Sequence, residues 1–380
     1  MGGPGEVSRE AVGLTGRAAI EAVVGHFALS GELLAVEPCE GGHINESHLL
    51  TCRRSGGTVR LLLQRINDAV FSSPSLVMEN IERVTAHLAQ RLHAQGAADV
   101  DRRVLTLVPT DEGRPFHCDD AGSCWRIYRF IEGTHARQIV ETPGQAEAAA
   151  RAFGAFQRLL ADFPGPRLHE TIPGFHDTPK RFAALERAVE TDRLNRAAEA
   201  SAEIEFAFSR RSMASALLDL QGSGEIPERV VHNDAKVSNV LLDDSSGEAL
   251  CVTDLDTVMP GTVLYDFGDM VRSMTSGAAE DEPNPSGVAL RMPLFEALVR
   301  GYLDAAGPFL TAAERRHLVP AGKLITLEQG VRFLTDFLDG DTYYKTNRPG
   351  HNLDRCRTQL KLVESIVRRE ARMREFIERY

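Results

Sequence analysis

Residues 230–244 read VVHNDAKVSNVLLDD. The stretch opens on an apolar pair, Val230-Val231, and closes on an apolar run, Val240-Leu241-Leu242, both composed like short buried strands. Between them lie His232, Asp234, Lys236 and Asn239. A polar turn between two strands accounts for an Asp and an Asn, which are common turn residues. It does not account for their spacing. His232 precedes Asp234 by two residues and Asn239 follows it by five. Asp254 then closes the next strand-like run, ALCVTD at 249–254, fifteen residues beyond Asn239.

Phosphoryl transfer from ATP needs groups in this order. One Asp beside the attacking hydroxyl accepts its proton, while an Asn and a second Asp hold magnesium on the triphosphate. Oxygen ligands suit this hard cation, which takes few protein ligands and keeps several waters. The pattern H-x-D-x-x-x-x-N is that of kinase catalytic loops. Lys236, two residues after Asp234, is placed to neutralise charge on the transferring phosphoryl group.

Outward from the loop, the chain divides by pattern. Upstream, residues 33–40, 46–54 and 56–67 read as three strands, followed by helical spacing over 73–96 with Ser73-Pro74 near its start. Strand signals return at 102–110 and 124–133. From 145 onward helices dominate, at 145–163, 178–199, 203–221 and 353–380, with two short strands flanking the turn SSGE at 245–248. The expected fold class is α+β. Residues 1–16 are Gly-rich and expected to be poorly ordered, 17–132 form a small mixed lobe with an antiparallel sheet, and 133–380 form a larger, mainly helical lobe.

Composition narrows the partners. Lys plus Arg is 43 against 54 for Asp plus Glu, a net charge of −11, which disfavours nucleic acid or an anionic membrane as the main partner. The six cysteines form no C-x-x-C pair and are expected to be free thiols. Without an apolar leader or a membrane-length apolar run, the expected location is the cytoplasm.

The stretch 232–272, with HND-x-K running into NV, VTDLDTVMPG (252–261) and LYDFGD (264–269), resembles the aminoglycoside phosphotransferase and choline kinase superfamily. More narrowly it resembles the N-acetylhexosamine 1-kinases, through EGGHINESHLL (40–50), LLLQRIN (61–67), YRFIEG (128–133) and VRFLTDFLDGDTYYKT (331–346) as well. The resemblance covers most of the chain beyond the first thirty or so residues. It implies a two-lobed, protein-kinase-like fold with ATP and Mg2+ as cofactors. Asp234 is then the catalytic base, Asn239 and Asp254 are the metal ligands, and Asp256 assists behind them or simply caps a turn. Asp266 holds the catalytic loop. Gly41 and Gly42 belong to the phosphate-covering loop, although GGHIN lacks the full G-x-G-x-x-G and a hairpin turn reads as well.

Where most kinases carry a lysine for the α- and β-phosphates, the strand RLLLQR offers Gln64 and Arg65. The expected partner of one of them is Glu79 or Glu82, which read equally as a solvated helix face. Phe130, Ile131 and Glu132 form the hinge whose backbone meets adenine. For the acceptor, the resemblance implies His43, Arg332 and Tyr343, with Tyr344 beside them. The alternatives for Arg332 and the tyrosines are a surface ion pair and packing. An arginine suits a neutral polyol or an N-acetyl carbonyl better than a polycation. The expected reaction gives a sugar 1-phosphate from N-acetylglucosamine or N-acetylgalactosamine. A kinase of the same fold acting on an amino alcohol, an aminoglycoside or another sugar is the first alternative, and a silent kinase-like binding protein the second. VTDLD in place of D-F-G, with no A-P-E segment, argues against a protein kinase.

Overall fold

The computed structural model describes residues 16–29, 31–39 and 44–380. Residues 1–15, read above as poorly ordered, and Gly41, Gly42 and His43 lie outside the described residues. The chain forms two compact units, Met1–Asp68 with Thr106–Phe130, and Ala69–Leu105 with Ile131–Tyr380.

In the first unit, helix α1 (Arg17–Val24) precedes strands β1 (Glu32–Pro38), β2 (Glu46–Arg54) and β3 (Gly57–Arg65). After the chain's excursion into the second unit come β4 (Leu107–Val108), β5 (His117–Cys118) and β6 (Cys124–Arg129). All pairings are antiparallel, in the order β1-β2-β3-β6-β4, with β5 on β6. Strand alternation sorts the two faces. Leu61, Leu63, Trp125 and Ile127 join Ile20, Val23 and Val24 of α1 in one core. The other face pairs Gln64 with Arg126 and Leu62 with Tyr128.

One expectation is corrected in this unit. Cys118 and Cys124 are joined as a disulfide, so only Cys39, Cys52, Cys251 and Cys356 are free thiols. The β5–β6 hairpin places the two cysteines directly opposite one another, and a spacing of six escapes a search for C-x-x-C. Asp119 closes the hairpin, accepting from the amides of Ala121 and Ser123 and from the Trp125 indole.

The second unit begins with α2 (Pro74–Ala94) and α3 (Val100–Arg103). The side chain of Asn80 ties α2 to this unit, donating to the carbonyls of His169 and Val258 and accepting from the His169 amide. Then follow β7 (Thr134–His135), α4 (Pro143–Leu159), α5 (Thr178–Thr191), α6 (Ser201–Phe208), α7 (Ala216–Gly222), β8 (Arg229–Val231), β9 (Val240–Asp243), β10 (Ala249–Val252), β11 (Met259–Gly261), α8 (Val263–Met274), α9 (Met292–Ala306), α10 (Ala312–Asp339) and α11 (His351–Arg379). Two small sheets, β10-β9-β7 and β11-β8, carry the loops of interest. One core joins α5, α10 and α11 through Phe182, Leu185, Leu327, Leu334, Leu353 and Val363.

Three readings shift in detail. The strand expected at 102–110 is a helical turn, Val100–Arg103, followed by a two-residue strand. The helix expected over 178–199 stops at Thr191. Asp192 there adopts a left-handed φ of 32° and its side chain takes the amides of Arg196 and Ala197. The helix expected over 203–221 is broken between α6 and α7 by a 3-10 turn at Arg211–Met213. Among the described residues no helix is long and apolar enough to cross a membrane.

Candidate active site

Strand β8 ends at Val231 and the chain turns sharply, with Asn233 at φ 66°. Asn tolerates this left-handed conformation better than most residues. The turn is held from below. Buried Asp266, in the first turn of α8, accepts from the amides of His232 (3.0 Å) and Asn233 (2.6 Å) and from Gln157 Nε2 (2.7 Å). Gln157 is itself fixed by the Tyr302 hydroxyl at 2.8 Å.

The loop is also tied to the segment after β10. His232 Nε2 donates to the Thr253 carbonyl at 2.8 Å, and its Nδ1 faces the Asp234 amide. Thr257 Oγ1 donates to the His232 carbonyl at 2.8 Å, and the Thr253 amide to the Asn239 carbonyl at 2.9 Å. Asp254 follows at φ 59°, the second left-handed residue of the site.

These ties bring Asp234, Lys236 and Asn239 into contact. Lys236 Nζ lies 2.8 Å from Asp234 Oδ2, and Asn239 Nδ2 donates to the same oxygen at 3.1 Å and to the Asp234 carbonyl at 2.8 Å. Burial alone would raise the Asp234 carboxyl, but the Lys236 ammonium overrides it and holds Asp234 well below the usual carboxylate range. Lys236 is raised in turn: burial opposes its charge, and Asp234 and then Asp254 outweigh that. Asp254 keeps a face open to solvent, yet the protein packed around it, followed by the charge of Asp256, pushes its carboxyl up to about 6. Asp256 is buried behind it.

With Asn239 Nδ2 committed to Asp234, its Oδ1 is the atom left to offer a cation. Among the described residues no three His, Cys, Asp or Glu side chains converge as a metal cage. An amide oxygen plus one or two carboxylates instead fits a cation that takes its remaining ligands from phosphates and water.

A second cluster lies on α10 and the turn after it. The guanidinium of Arg332 sits 4.7 Å from the ring centre of Phe175, 5.9 Å from Tyr343 and 5.7 Å from Tyr344. Asp336 positions both tyrosines, its carboxylate accepting from the amides of Thr342 (2.9 Å), Tyr343 (2.8 Å) and Tyr344 (2.9 Å). The same helix face reaches the loop at 232–239: Glu328 Oε1 bonds His176 Nδ1 at 2.8 Å, and His176 Nε2 lies 3.0 Å from the Asn233 carbonyl.

In the first unit, Gln64 accepts from Arg126 Nε (3.1 Å) and Nη2 (2.9 Å) and donates to Ser47 Oγ (3.1 Å). Arg65 lies 3.7 Å from Glu46. Arg126, buried on the same face as Gln64, drew no attention in the sequence because it reads as one polar position of a strand. Glu79 pairs with Arg83 and His169 of its own unit, and Glu82 is exposed. At the segment read as a hinge, the Phe130 amide donates to the Arg60 carbonyl. The carbonyls of Ile131 and Glu132 accept from Thr134 and Arg102. Asp336 is the other residue given no role from sequence, since nothing marks it out from the neighbouring Asp339 and Asp341.

An antiparallel-sheet unit, a mainly helical unit and an H-x-D-x-x-x-x-N loop bonded to a following Asp segment define a kinase-like phosphotransferase. The profile of the phosphotransferase enzyme family matches residues 35–317, and the chain belongs to that family, within the aminoglycoside phosphotransferase and choline kinase superfamily. Solved structures agree on the fold. The microcompartment-associated aminopropanol kinase superposes with a TM-score of 0.56 at 16% identity, over 94% of this chain and 98% of that one. An aminoglycoside phosphotransferase from Alicyclobacillus acidocaldarius gives 0.56 at 15% identity, over 95% and 96%. Spectinomycin phosphotransferase, solved in complex with ADP and spectinomycin, gives 0.52 at 13% identity, over 92% and 96%.

Proposed function

We propose that the chain is an ATP- and magnesium-dependent small-molecule kinase whose acceptor is a sugar. The reacting group is the anomeric hydroxyl of N-acetylglucosamine or N-acetylgalactosamine. The observation that carries the kinase reading is the Asp234 carboxylate, held by Lys236 and Asn239 on a loop that Asp266 anchors. Both contacts fall on Oδ2, so Oδ1 is the oxygen that accepts the sugar hydroxyl's hydrogen bond and then its proton. The hydroxyl oxygen attacks the γ-phosphorus in line and the bond to the ADP oxygen breaks. Lys236 offsets charge on the transferring group, and Asn239 and Asp254 hold the magnesium. When bound, that ion neutralises phosphate charge. Gln64 and the residues 130–132 serve the nucleotide.

The sugar reading rests on Arg332. Its N–H groups suit carbonyl and hydroxyl oxygens, and its charge disfavours the cationic acceptors after which some solved structures of this fold are named. The test is ADP release with MgATP across N-acetylglucosamine, N-acetylgalactosamine, glucose, galactose, choline and kanamycin, with wild type beside Asp234→Asn. Turnover of the N-acetyl sugars, falling about 10²- to 10⁴-fold in a variant that stays folded, is expected for the loss of a general base. Turnover of another acceptor alone overturns the substrate. Near-normal turnover by Asp234→Asn removes that residue from its role.

A further inference from the structure

Three aromatic faces around one positive charge is the arrangement that binds quaternary ammonium groups. In this chain Phe175, Tyr343 and Tyr344 make such a box, and the protein's own Arg332 fills it. The box is braced. Tyr343 and Tyr344 meet edge to face at 4.8 Å, and Tyr344 packs on Phe333 at 4.7 Å. The Tyr344 hydroxyl accepts from Gln329 at 3.1 Å, and Gln329 Oε1 accepts from Arg332 at 3.2 Å. Asp336 fixes the backbone beneath the tyrosines.

The charge in the box is only partly offset, by the nearby carboxylate of Glu328. Among the described residues no carboxylate pairs with Arg332, and nearby Glu328 is already engaged by His176 and Thr178. Arg181 donates to the main-chain carbonyls of Gly174 and Phe175, and its basicity is lowered by burial and then by the charge of Arg332. A second cation entering the box therefore meets occupied ring faces and like charge.

We propose that Arg332 is a built-in occupant that closes this aromatic box to ammonium groups, restricting the acceptor to uncharged or anionic molecules. The proposal rests on the reading above only in taking this cluster as the acceptor site. Specificity of this kind comes from an element that repels the wrong partner as well as from contacts with the right one.

The probe is tetramethylammonium, followed by its NMR line broadening and saturation transfer, with KCl at matched ionic strength as control. Wild type is expected to show no saturable binding up to about 100 mM. Arg332→Ala is expected to bind at least about tenfold more tightly, and Tyr344→Leu in that background to abolish the gain. Arg332→Gln, which keeps a polar group against Gln329, replaces the alanine variant should that one not fold. Equal binding by wild type and variant overturns the proposal. So does absence of binding by a folded variant, or turnover of choline by wild type. Failure of every N-acetylhexosamine in the acceptor panel would sink the sugar reading while leaving the tetramethylammonium result standing, so the two fail separately.

Discussion

Asp266→Asn is the substitution for which the structure gives the most detailed forecast. One carboxylate oxygen, Oδ1, takes the Asn233 amide, and the other, Oδ2, takes the His232 amide and Gln157 Nε2. An asparagine has only one oxygen to share among them. If that oxygen takes the Oδ2 place, the new NH2 faces the Asn233 amide. If it takes the Oδ1 place, Gln157 can turn its own amide to accept, but the His232 amide is stranded. Either way one buried loop amide loses its acceptor, which costs about 1–3 kcal/mol, and the remaining bonds lose their charge assistance, about 1 kcal/mol more. Removing a buried charge that burial already disfavours returns part of this, so the expected loss is about 2–3 kcal/mol. The stranded amide must move toward another partner and carry Asp234 with it. A shift of about 1 Å at a catalytic group costs about 10²-fold in rate. Urea unfolding and turnover with MgATP measure the two effects side by side. A variant within about 0.5 kcal/mol of wild type, with turnover within about twofold, would refute the claim that Asp266 holds the loop.

Asp254→Asn is expected to raise the magnesium concentration for half-maximal turnover at least about tenfold, and an unchanged magnesium titration removes Asp254 from the metal set. Glu328 supplies a pH signature. Burial would raise its carboxyl, but His176, with help from Arg332 and Thr178, holds it below its usual value, so the unfolded chain takes up the proton first. Its stabilisation is therefore in place above about pH 4.5 and is lost as pH falls through that value toward the folded one. The melting temperature of wild type should then fall more steeply between about pH 5 and 3 than that of Glu328→Gln, and parallel curves would contradict this. Gly268→Ala should destabilise by about 1–3 kcal/mol, because a Cβ there would stand 2.5 Å from Ile325 Cγ1 and 2.7 Å from the Ala321 carbonyl. An unshifted unfolding midpoint would mean that α8 and α10 are not packed as closely as described.

What could be read in advance was local. The candidate catalytic loop at 232–239 shows because its polar residues interrupt two apolar runs at fixed offsets, and β1 to β3 show through strand alternation. What was hidden depends on distance along the chain. Gln157 and Asp266 are 109 residues apart, and nothing in either neighbourhood predicts the other. The Cys118–Cys124 bond needed the hairpin register, not the cysteine count. Asp336 looked like one acid among several. Its role depends on the turn through Gly340 at φ 104° and Asp341 at φ 59°, which aims three successive amides at one carboxylate. The D-F-G triplet at 266–268 misleads in isolation. Its Asp anchors a loop and its Gly admits α10, while the candidate metal residue, Asp254, lies in a different segment.

One helix explains how the aromatic box and the Asp234 loop share a register. Glu328, Arg332 and Asp336 are spaced by four residues on α10, about 6 Å apart along one face. Each grips a different segment: Glu328 holds His176 under the Asn233 carbonyl, Arg332 fills the aromatic box, and Asp336 orders the turn that supplies two of its walls. A helix of 28 residues packed on α5, α8 and α11 is stiff at this scale, so the distance from the box to the residue before Asp234 is set by the helix rather than by flexible loops. Changing Arg332 should then alter what the box accepts without moving Asp234. Changing Glu328 should disturb the segment before Asp234 and, since the two charges attract, weaken the hold on Arg332 as well.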